Sequence, residues 1–214
     1  MIRILPVLLL AVWVVGCTGL RSKRSPSFAA AERTMILAAD SSRPMRVFQI
    51  TNPSDSLLLR QRSLPVQADP HDPLLAHFIQ RLYRTVRDPN SLGVGIAAPQ
   101  VGILRQIIWV QRFDKEGFPF EVYLNPEIRQ YSDLKQPCLE GCLSIPDRRD
   151  TTRNRAYAIL LEYDRPSGEH AVEMVEDFTA VIFQHEIDHL NGILYTDHLQ
   201  EEIEQAQERE ARDR

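Results

Sequence analysis

The decisive stretch of this chain is QHEIDH, residues Gln184–His189. It places His185 and His189 four residues apart, and residues i and i+4 share one face of a helix, so both imidazoles can reach one cation. Glu186 lies one position round the helix, where a carboxylate can act on a water instead of binding the metal. The pattern predicts a metal-dependent hydrolase. The apolar run Phe178–Phe183 leads into the motif and predicts a largely buried helix, which disfavours the alternative of two surface histidines.

The motif supplies two ligands, so a third must come from elsewhere in the chain. A metzincin would carry a histidine three residues after Gly192, where this chain has Tyr195. A gluzincin would use a downstream glutamate, but from Glu201 onward the chain is almost wholly Glu, Gln, Arg and Ala, which predicts a solvated helix. The better candidate is Cys142, within EGCLSIP (residues 140–146), because a Cys/His/His set with one open position is a known catalytic arrangement.

A third motif, GVGIAAPQ, occupies residues 93–100. Together with EGCLS (140–144) and QHEIDHL (184–190), it resembles the three signature motifs of the peptide deformylases, in the same order and at similar spacing. The resemblance extends from about Arg46 to about Leu199. It implies an α+β, peptide-deformylase-like fold with antiparallel or mixed sheets packed around a central metal-site helix. It also implies a reaction in which the N-formyl group is removed from formyl-methionyl peptides and formate is released.

The resemblance assigns roles at the metal. Cys142, His185 and His189 would hold one divalent ion per chain, iron(II) or zinc(II), with a water in the open position. Glu186 would take a proton from that water and pass it to the departing amine. Asp188 lies between the histidines, where it either orients one imidazole or is an exposed helix carboxylate.

The resemblance also implies how the substrate would be held. Gln100, through its side-chain amide, and Leu143, through its backbone N–H, would face the developing oxyanion. The slot for the substrate backbone would be lined by Gly93, Val94 and Gly95. Glu140 and Arg149 flank the cysteine segment and are expected to form a charged pair near the peptide, which Arg149 would contact.

Two positions depart from the family pattern. Many members have an acidic residue immediately before the first glycine of GVGIAAPQ, where this chain has Leu92, so Arg149 would be freer or differently paired. Cys138 stands four residues before Cys142, where an aliphatic pocket residue is common in the family. Both changes concern substrate preference rather than the metal.

Two other functions stay open on the sequence. An envelope metallo-amidase or peptidase could use the same metal site on a different acyl substrate, and substrate profiling separates it from a deformylase. A non-catalytic lipoprotein could keep the fold as a binding module, but such a module has no need of Glu186 as a general base.

Composition agrees with one enzyme domain. Of the 214 residues, 43% are hydrophobic, which is enough for one core. The net charge of −4 gives no electrostatic case for a nucleic-acid partner. Helical periodicity predicts a helix over 73–86 and the metal-site helix over 177–190. Runs of β-branched and apolar residues predict strands at 106–111, 121–124 and 156–162.

The first residues of the chain predict export. The apolar run over 4–15 is short for a membrane-spanning helix and fits the core of a signal peptide. VVGC, residues 14–17, resembles the bacterial lipobox, in which the cysteine becomes the lipidated first residue of the mature protein. The predicted organisation is a lipoprotein signal peptide over 1–16, a tether over 17–45, the deformylase domain over 46–200 and a charged tail over 201–214.

This organisation predicts a periplasm-facing lipoprotein of the bacterial cell envelope, held in the membrane by lipidated Cys17. The outer membrane is favoured because Thr18 is not the aspartate that commonly retains lipoproteins in the inner membrane. If the segment is not processed, the location is cytoplasmic. The expected partners are formyl-Met peptides, or the N-termini of nascent or exported polypeptides. Because the periplasm is oxidising, zinc is a credible metal beside iron(II).

Overall fold

A computed structural model describes residues 28–91 and 93–213 of the chain. The α-helices are α1 (Ala30–Ile36), α2 (Pro53–Leu59), α3 (Pro73–Val86), α4 (Asp177–Leu190) and α5 (Tyr195–Arg212), with a 3-10 turn over Ala98–Val101. The strands are β1 (Gly95–Ala97), β2 (Ile107–Gln111), β3 (Phe120–Tyr131), β4 (Lys135–Cys142), β5 (Ile145–Ala156), β6 (Ala158–Asp164) and β7 (His170–Glu176). The helices predicted over 73–86 and 177–190 are confirmed as α3 and α4.

The strands form two antiparallel sheets. The larger has five strands in the order β1-β2-β3-β6-β7, and the smaller is the β4–β5 hairpin. The predicted α+β class is therefore confirmed. Among the described residues β1 pairs with β2 alone, so its other edge is free to meet a ligand.

Helix α4 is the central element, and it is buried on two opposite faces. Ala180, Phe183, Ile187 and Leu190 recur at helical spacing, and they pack against the inner face of the five-stranded sheet. The sheet residues in this cluster include Ile108, Val110, Tyr123, Ile159, Leu161 and Val175. The two histidines lie on the other side of the helix, where α4 contacts the β4–β5 hairpin. This packing places the metal motif between the sheet and the hairpin.

Residues 28–45, which the sequence assigns to a tether, pack on α3 instead. Phe28 and Ile36 are buried with the α3 side chains in one apolar cluster. Arg81 of α3 is 5% exposed, and its guanidinium donates to four backbone carbonyls of the segment. These carbonyls belong to Met35, Ile36, Arg43 and Pro44. A buried arginine that satisfies four carbonyls makes this segment part of the domain.

The predicted signal peptide, lipobox and first part of the tether lie outside the described residues. In the part of the chain that the structure does describe, no helix combines the length and apolarity needed to span a membrane. Residues 201–212 of the predicted charged tail form the last two thirds of α5, and their side chains are mostly exposed.

Candidate metal centre

The three predicted ligands converge at the junction of α4 and the tip of the β4–β5 hairpin. Cys142 ends β4 beside the hairpin turn, and its Sγ lies 3.2 Å from Nε2 of His189. One ligand atom from each of Cys142, His185 and His189 lies within 4.8 Å of the other two. A thiol and two imidazoles suit zinc or iron rather than magnesium or calcium. The residues present therefore fit the kind of metal that the sequence predicts.

The electrostatics of the site favour the thiolate form of Cys142. Burial works to raise the pKa of this thiol, but the neighbouring His189 and His185 outweigh burial and hold the pKa well below its usual value. The thiolate is the form of cysteine that binds metals.

Glu140 orients the ligand His185. Its Oε2 accepts a hydrogen bond from Nδ1 of His185 at 2.8 Å, which leaves Nε2 for the metal. Arg155 donates to both oxygens of Glu140, and Thr152 donates to one of them. The hydrogen bonds from His185 and Arg155 hold the pKa of Glu140 well below its usual range, although burial opposes them. The carboxylate is thus ionised, and both of its oxygens accept hydrogen bonds from these residues.

The predicted pair between Glu140 and Arg149 was wrong. Arg149 stands opposite Gly141 in the β4–β5 ladder, and its exposed side chain lies over that glycine. It cannot reach the buried face on which Glu140 and Arg155 meet, so it remains at the rim of the site.

Asp188 makes no hydrogen bond to a ligand imidazole, nor is it an exposed helix carboxylate. It is partly buried, and its Oδ2 accepts hydrogen bonds from Arg155 at 2.6 Å and from His198 at 2.8 Å. Sequence reasoning missed Arg155 and His198, since neither lies in a motif. The only signal in the sequence was that arginine and histidine are side chains that can carry a positive charge and so can pair with a carboxylate.

Glu186 is buried beside the ligands, at 4% exposure. Its Oε2 has no hydrogen-bond partner among the described residues. Burial raises the pKa of Glu186 to about 7, even though the two histidines lower it. A carboxylate that titrates near neutral pH can both accept and return a proton.

Gly95 makes room for that carboxylate. A Cβ atom at position 95 would lie 2.5 Å from Oε1 of Glu186 and 2.9 Å from Cγ2 of Ile182. Any side chain here would displace Glu186, which explains the glycine on steric grounds.

Gln100 is 2% exposed and has a fixed orientation. Its Oε1 accepts from the backbone N–H of Ala97 at 2.8 Å, so its Nε2 must point the other way. There Nε2 lies 3.6 Å from Sγ of Cys142 and 3.3 Å from Oγ of Ser144. Leu143 lies in the adjacent hairpin turn, with its side chain against the core.

A cavity of about 840 Å³ joins these residues. Its lining includes every residue predicted from the sequence to bind or act on substrate, together with Cys142 and His185. Those substrate residues are Gly93, Val94, Gly95, Gln100, Glu140, Leu143, Arg149 and Glu186. Cys138 and Phe178 also line it, whereas Leu92 lies outside the described residues. The structure thus gathers the predicted residues at one place, and their individual roles stay predictions.

The fold and the site together define a class, the hydrolases with a single Cys/His/His metal centre in an α+β domain. Residues 45–205 match the family model described as polypeptide deformylase. The chain belongs to this family, and it is a peptide deformylase, a metal-dependent hydrolase with its metal site at Cys142, His185 and His189.

Individual relatives agree with this membership. The chain is 38% identical over 153 residues to a peptide deformylase from Desulforudis audaxviator (strain MP104C), which covers 72% of this chain and 94% of that protein. It is 35% identical over 157 residues to one from Caulobacter vibrioides (strain ATCC 19089 / CIP 103742 / CB 15), covering 72% and 87%.

Solved structures agree as well. The class I type b peptide deformylase from Acinetobacter baumannii, in its Met-Ala-Ser-bound crystal structure, has a TM-score of 0.65 and 32% identity. The match covers 73% of this chain and 99% of that one. The peptide deformylase from Thermotoga maritima has a TM-score of 0.62 at 33% identity, with 72% and 97% covered.

Proposed function

We propose that this deformylase acts on formyl-methionyl peptides, with Glu186 as its general base and acid and with iron(II) or zinc(II) as its metal. The observation that carries the proposal is that a thiol and two imidazoles converge beside a buried carboxylate, one oxygen of which has no partner among the described residues, and that Cys142, His185 and Glu186 line one cavity. When bound, the metal would polarise the formyl oxygen and lower the pKa of a water to about 7.

Glu186 would move the proton. Its free Oε2 is the atom available to accept a proton from the attacking water, and a pKa near 7 lets it hold that proton and then release it. The proton would pass to the amine nitrogen as the C–N bond of the formamide breaks and formate leaves.

Gln100 and Leu143 would stabilise the charge on the formyl oxygen. The hydrogen bond from Ala97 fixes the amide of Gln100, so Nε2 faces the reacting centre without reorganisation. Loss of one such preorganised donor costs about 3–4 kcal/mol in comparable sites.

The free edge of β1 would bind the peptide backbone. An extended peptide adds to an exposed sheet edge through main-chain hydrogen bonds, and residues 93–95 line the cavity at this edge. Arg149, exposed at the rim, would contact the peptide further along. The Acinetobacter relative with Met-Ala-Ser bound supports a methionine-first tripeptide as ligand.

The location is proposed from the first 17 residues alone. Their signal-like run and lipobox support an envelope lipoprotein anchored through Cys17, facing the periplasm, with exported formyl-peptides as substrates. Labelling with a radioactive fatty acid tests this point, since label should enter the wild-type chain and be absent from Cys17→Ala.

Formate release tests the reaction. A chain beginning after Cys17, loaded anaerobically with iron(II) or separately with zinc, would be given a formyl-Met tripeptide and, as a comparison, the acetyl-Met tripeptide. We expect formate from the formyl peptide, no cleavage of the acetyl peptide, and loss of activity in Glu186→Ala. A folded, metal-loaded protein that released no formate would refute the proposal, and cleavage of the acetyl peptide would favour the broader amidase.

A further inference from the structure

The carboxylate that orients His185 belongs to a longer series of charged side chains, of which Glu140 and Arg155 are buried and Asp188 and His198 are partly buried. Arg155, 3% exposed, donates from Nε and Nη2 to Glu140 at 2.8 and 2.9 Å. Its third donor, Nη1, reaches Oδ2 of Asp188 at 2.6 Å. The planar guanidinium of Arg155 therefore joins β4 to α4. If Asp188 moves and the guanidinium rotates to keep its hydrogen bond, the hydrogen bonds to Glu140 must shift as well.

Asp188 has one further partner, and it comes from outside the metal motif. Nε2 of His198, in the first turns of α5, donates to the same Oδ2 of Asp188 at 2.8 Å. A continuous series of hydrogen bonds thus leads from α5 to the metal ligand, in the order His198, Asp188, Arg155, Glu140 and His185.

Counted without the metal and the Cys142 thiolate, the side chains of this series carry one more negative than positive charge unless His198 is protonated. Glu140 and Asp188 carry two negative charges, and Arg155 supplies one positive charge, while a metal-binding His185 is neutral. A protonated His198 would balance the group, and its pKa is raised, chiefly by the hydrogen bond to Asp188, against the opposing effects of burial and Arg155.

Other contacts hold α5 in the position that this bond requires. Glu202 accepts from the backbone N–H groups of Arg153 and Asn154 in β5, at 2.7 and 3.0 Å. The ring of Tyr195 is buried and stacks on that of His185, with centroids 6.1 Å apart. The first turns of α5 are therefore held against β5 and against the ligand His185.

We propose that His198 is a positioning residue for the deformylase reaction. By binding Asp188 it fixes Arg155, and through Glu140 it fixes the His185 imidazole in the orientation that the metal needs. The inference rests on the proposed function of the metal centre, and it makes α5 a part of that centre.

The test compares His198→Ala and His198→Gln with wild type in the full-length chain. Glutamine keeps one donor for Asp188 but carries no charge. The matched control is His170→Ala, since His170 also donates to an aspartate, Asp164 at 2.8 Å, but lies on β7 and lines no part of the active-site cavity. Zinc affinity is measured by competition with a chromophoric chelator, and the absorption spectrum of the cobalt(II) form reports ligand geometry.

Mutation of residues that support metal ligands costs about 10–100-fold in affinity or activity, and His198 is expected to fall near the lower figure because it acts through three intermediates. For His198→Ala we expect zinc affinity and kcat to fall about 10-fold, with an altered cobalt spectrum and a KM within about twofold of wild type. His198→Gln should recover part of both losses, and His170→Ala should match wild type.

Zinc affinity and a cobalt spectrum unchanged in both His198 variants would overturn the inference, as would an equal loss in His170→Ala. If His198→Ala does not fold, His198→Gln carries the test by the same zinc and cobalt measurements. These measurements do not depend on deformylation. A wild-type protein that released no formate would refute the proposed function, while the zinc affinities would still decide the role of His198.

Discussion

Glu140 and His185 meet across two elements that are 45 residues apart in sequence, with Oε2 of the carboxylate 2.8 Å from Nδ1 of the imidazole. The hairpin that carries the Cys142 ligand therefore also sets the orientation of a helix ligand. Because one strand supplies both Cys142 and Glu140, the metal geometry depends on how the hairpin packs on α4.

Glu140→Gln tests this relationship. The amide cannot replace the charge that faces Arg155, so we expect metal affinity to fall about 10–100-fold and the free energy of unfolding to fall by about 3 kcal/mol. Chelator competition and urea unfolding measure the two effects. Glu162→Gln is the matched control, because Glu162 also pairs with an arginine and a histidine, Arg129 and His170, away from the metal. Equal metal affinity in the two variants would contradict the prediction.

Gly95→Ala should abolish most activity without unfolding the protein. The new methyl group would occupy space now filled by Oε1 of Glu186, and a displacement of about 1 Å in a reacting group can cost 10²-fold in rate. The kcat for formyl-Met peptide and the melting temperature are measured together. The control is Gly117→Ala, where an added Cβ would meet no atom within 4 Å apart from its chain neighbours, and where only stability should suffer because φ is +74°. Wild-type kcat in Gly95→Ala would refute the steric argument.

Arg81→Met should destabilise the fold through the N-terminal segment. The substitution keeps apolar bulk but leaves four carbonyls of residues 35–44 without their donor, and we expect the free energy of unfolding to fall by about 3 kcal/mol. Arg84→Met, exposed on the same helix, should change it by no more than about 0.5 kcal/mol. Urea unfolding compares the two. Similar urea midpoints for the two variants would mean that the packing of residues 28–45 contributes little to the stability of the fold.

Asp55→Asn should show a pH-dependent loss of stability. Asp55 accepts two hydrogen bonds from Arg46 and one from the backbone of Gln49, and the bonds from Arg46 are the main reason that its pKa is lowered. Because its pKa is lower in the folded state, Asp55 stabilises the fold at pH values above its unfolded-state pKa of about 3.9. This stabilisation is lost as the pH falls through the folded-state pKa. We expect the variant to be about 1–2 kcal/mol less stable at pH 7.

The difference between wild type and Asp55→Asn should therefore shrink once the pH falls below about 4. Urea unfolding at a series of pH values measures it. A difference that stays constant down to pH 2.5 would show that the carboxylate charge does not contribute.

Sequence reasoning predicted the parts of the fold that short-range patterns encode. Helices α3 and α4 have the predicted bounds, because apolar side chains at helical spacing and a proline or acidic start are visible within one window. The strand near 121–124 was found but extends over Phe120–Tyr131. The β4–β5 hairpin was missed because its residues are largely polar and exposed, so no apolar alternation marks it.

The segment before residue 46 shows a second limit of local patterns. Its Ser, Arg, Lys and Ala content is typical of a linker, but Phe28, Ile36 and the carbonyls bound by Arg81 give residues 28–45 a place on α3. Composition describes the segment alone, whereas its packing depends on partners about 40 residues further along the chain.

The sequence by itself determined the chemistry of this protein, since the three ligands, Glu186 and Gln100 all stand in contiguous motifs whose residue types define the site. Only the tertiary structure decided what holds them. Glu140 binds Arg155 rather than Arg149, because strand register puts Arg149 opposite Gly141 on the exposed side. His198 reaches Asp188 because α5 folds back over β5. Which residues become partners depends on the direction in which their side chains point in the folded protein. The separation of two residues along the chain does not reveal that direction.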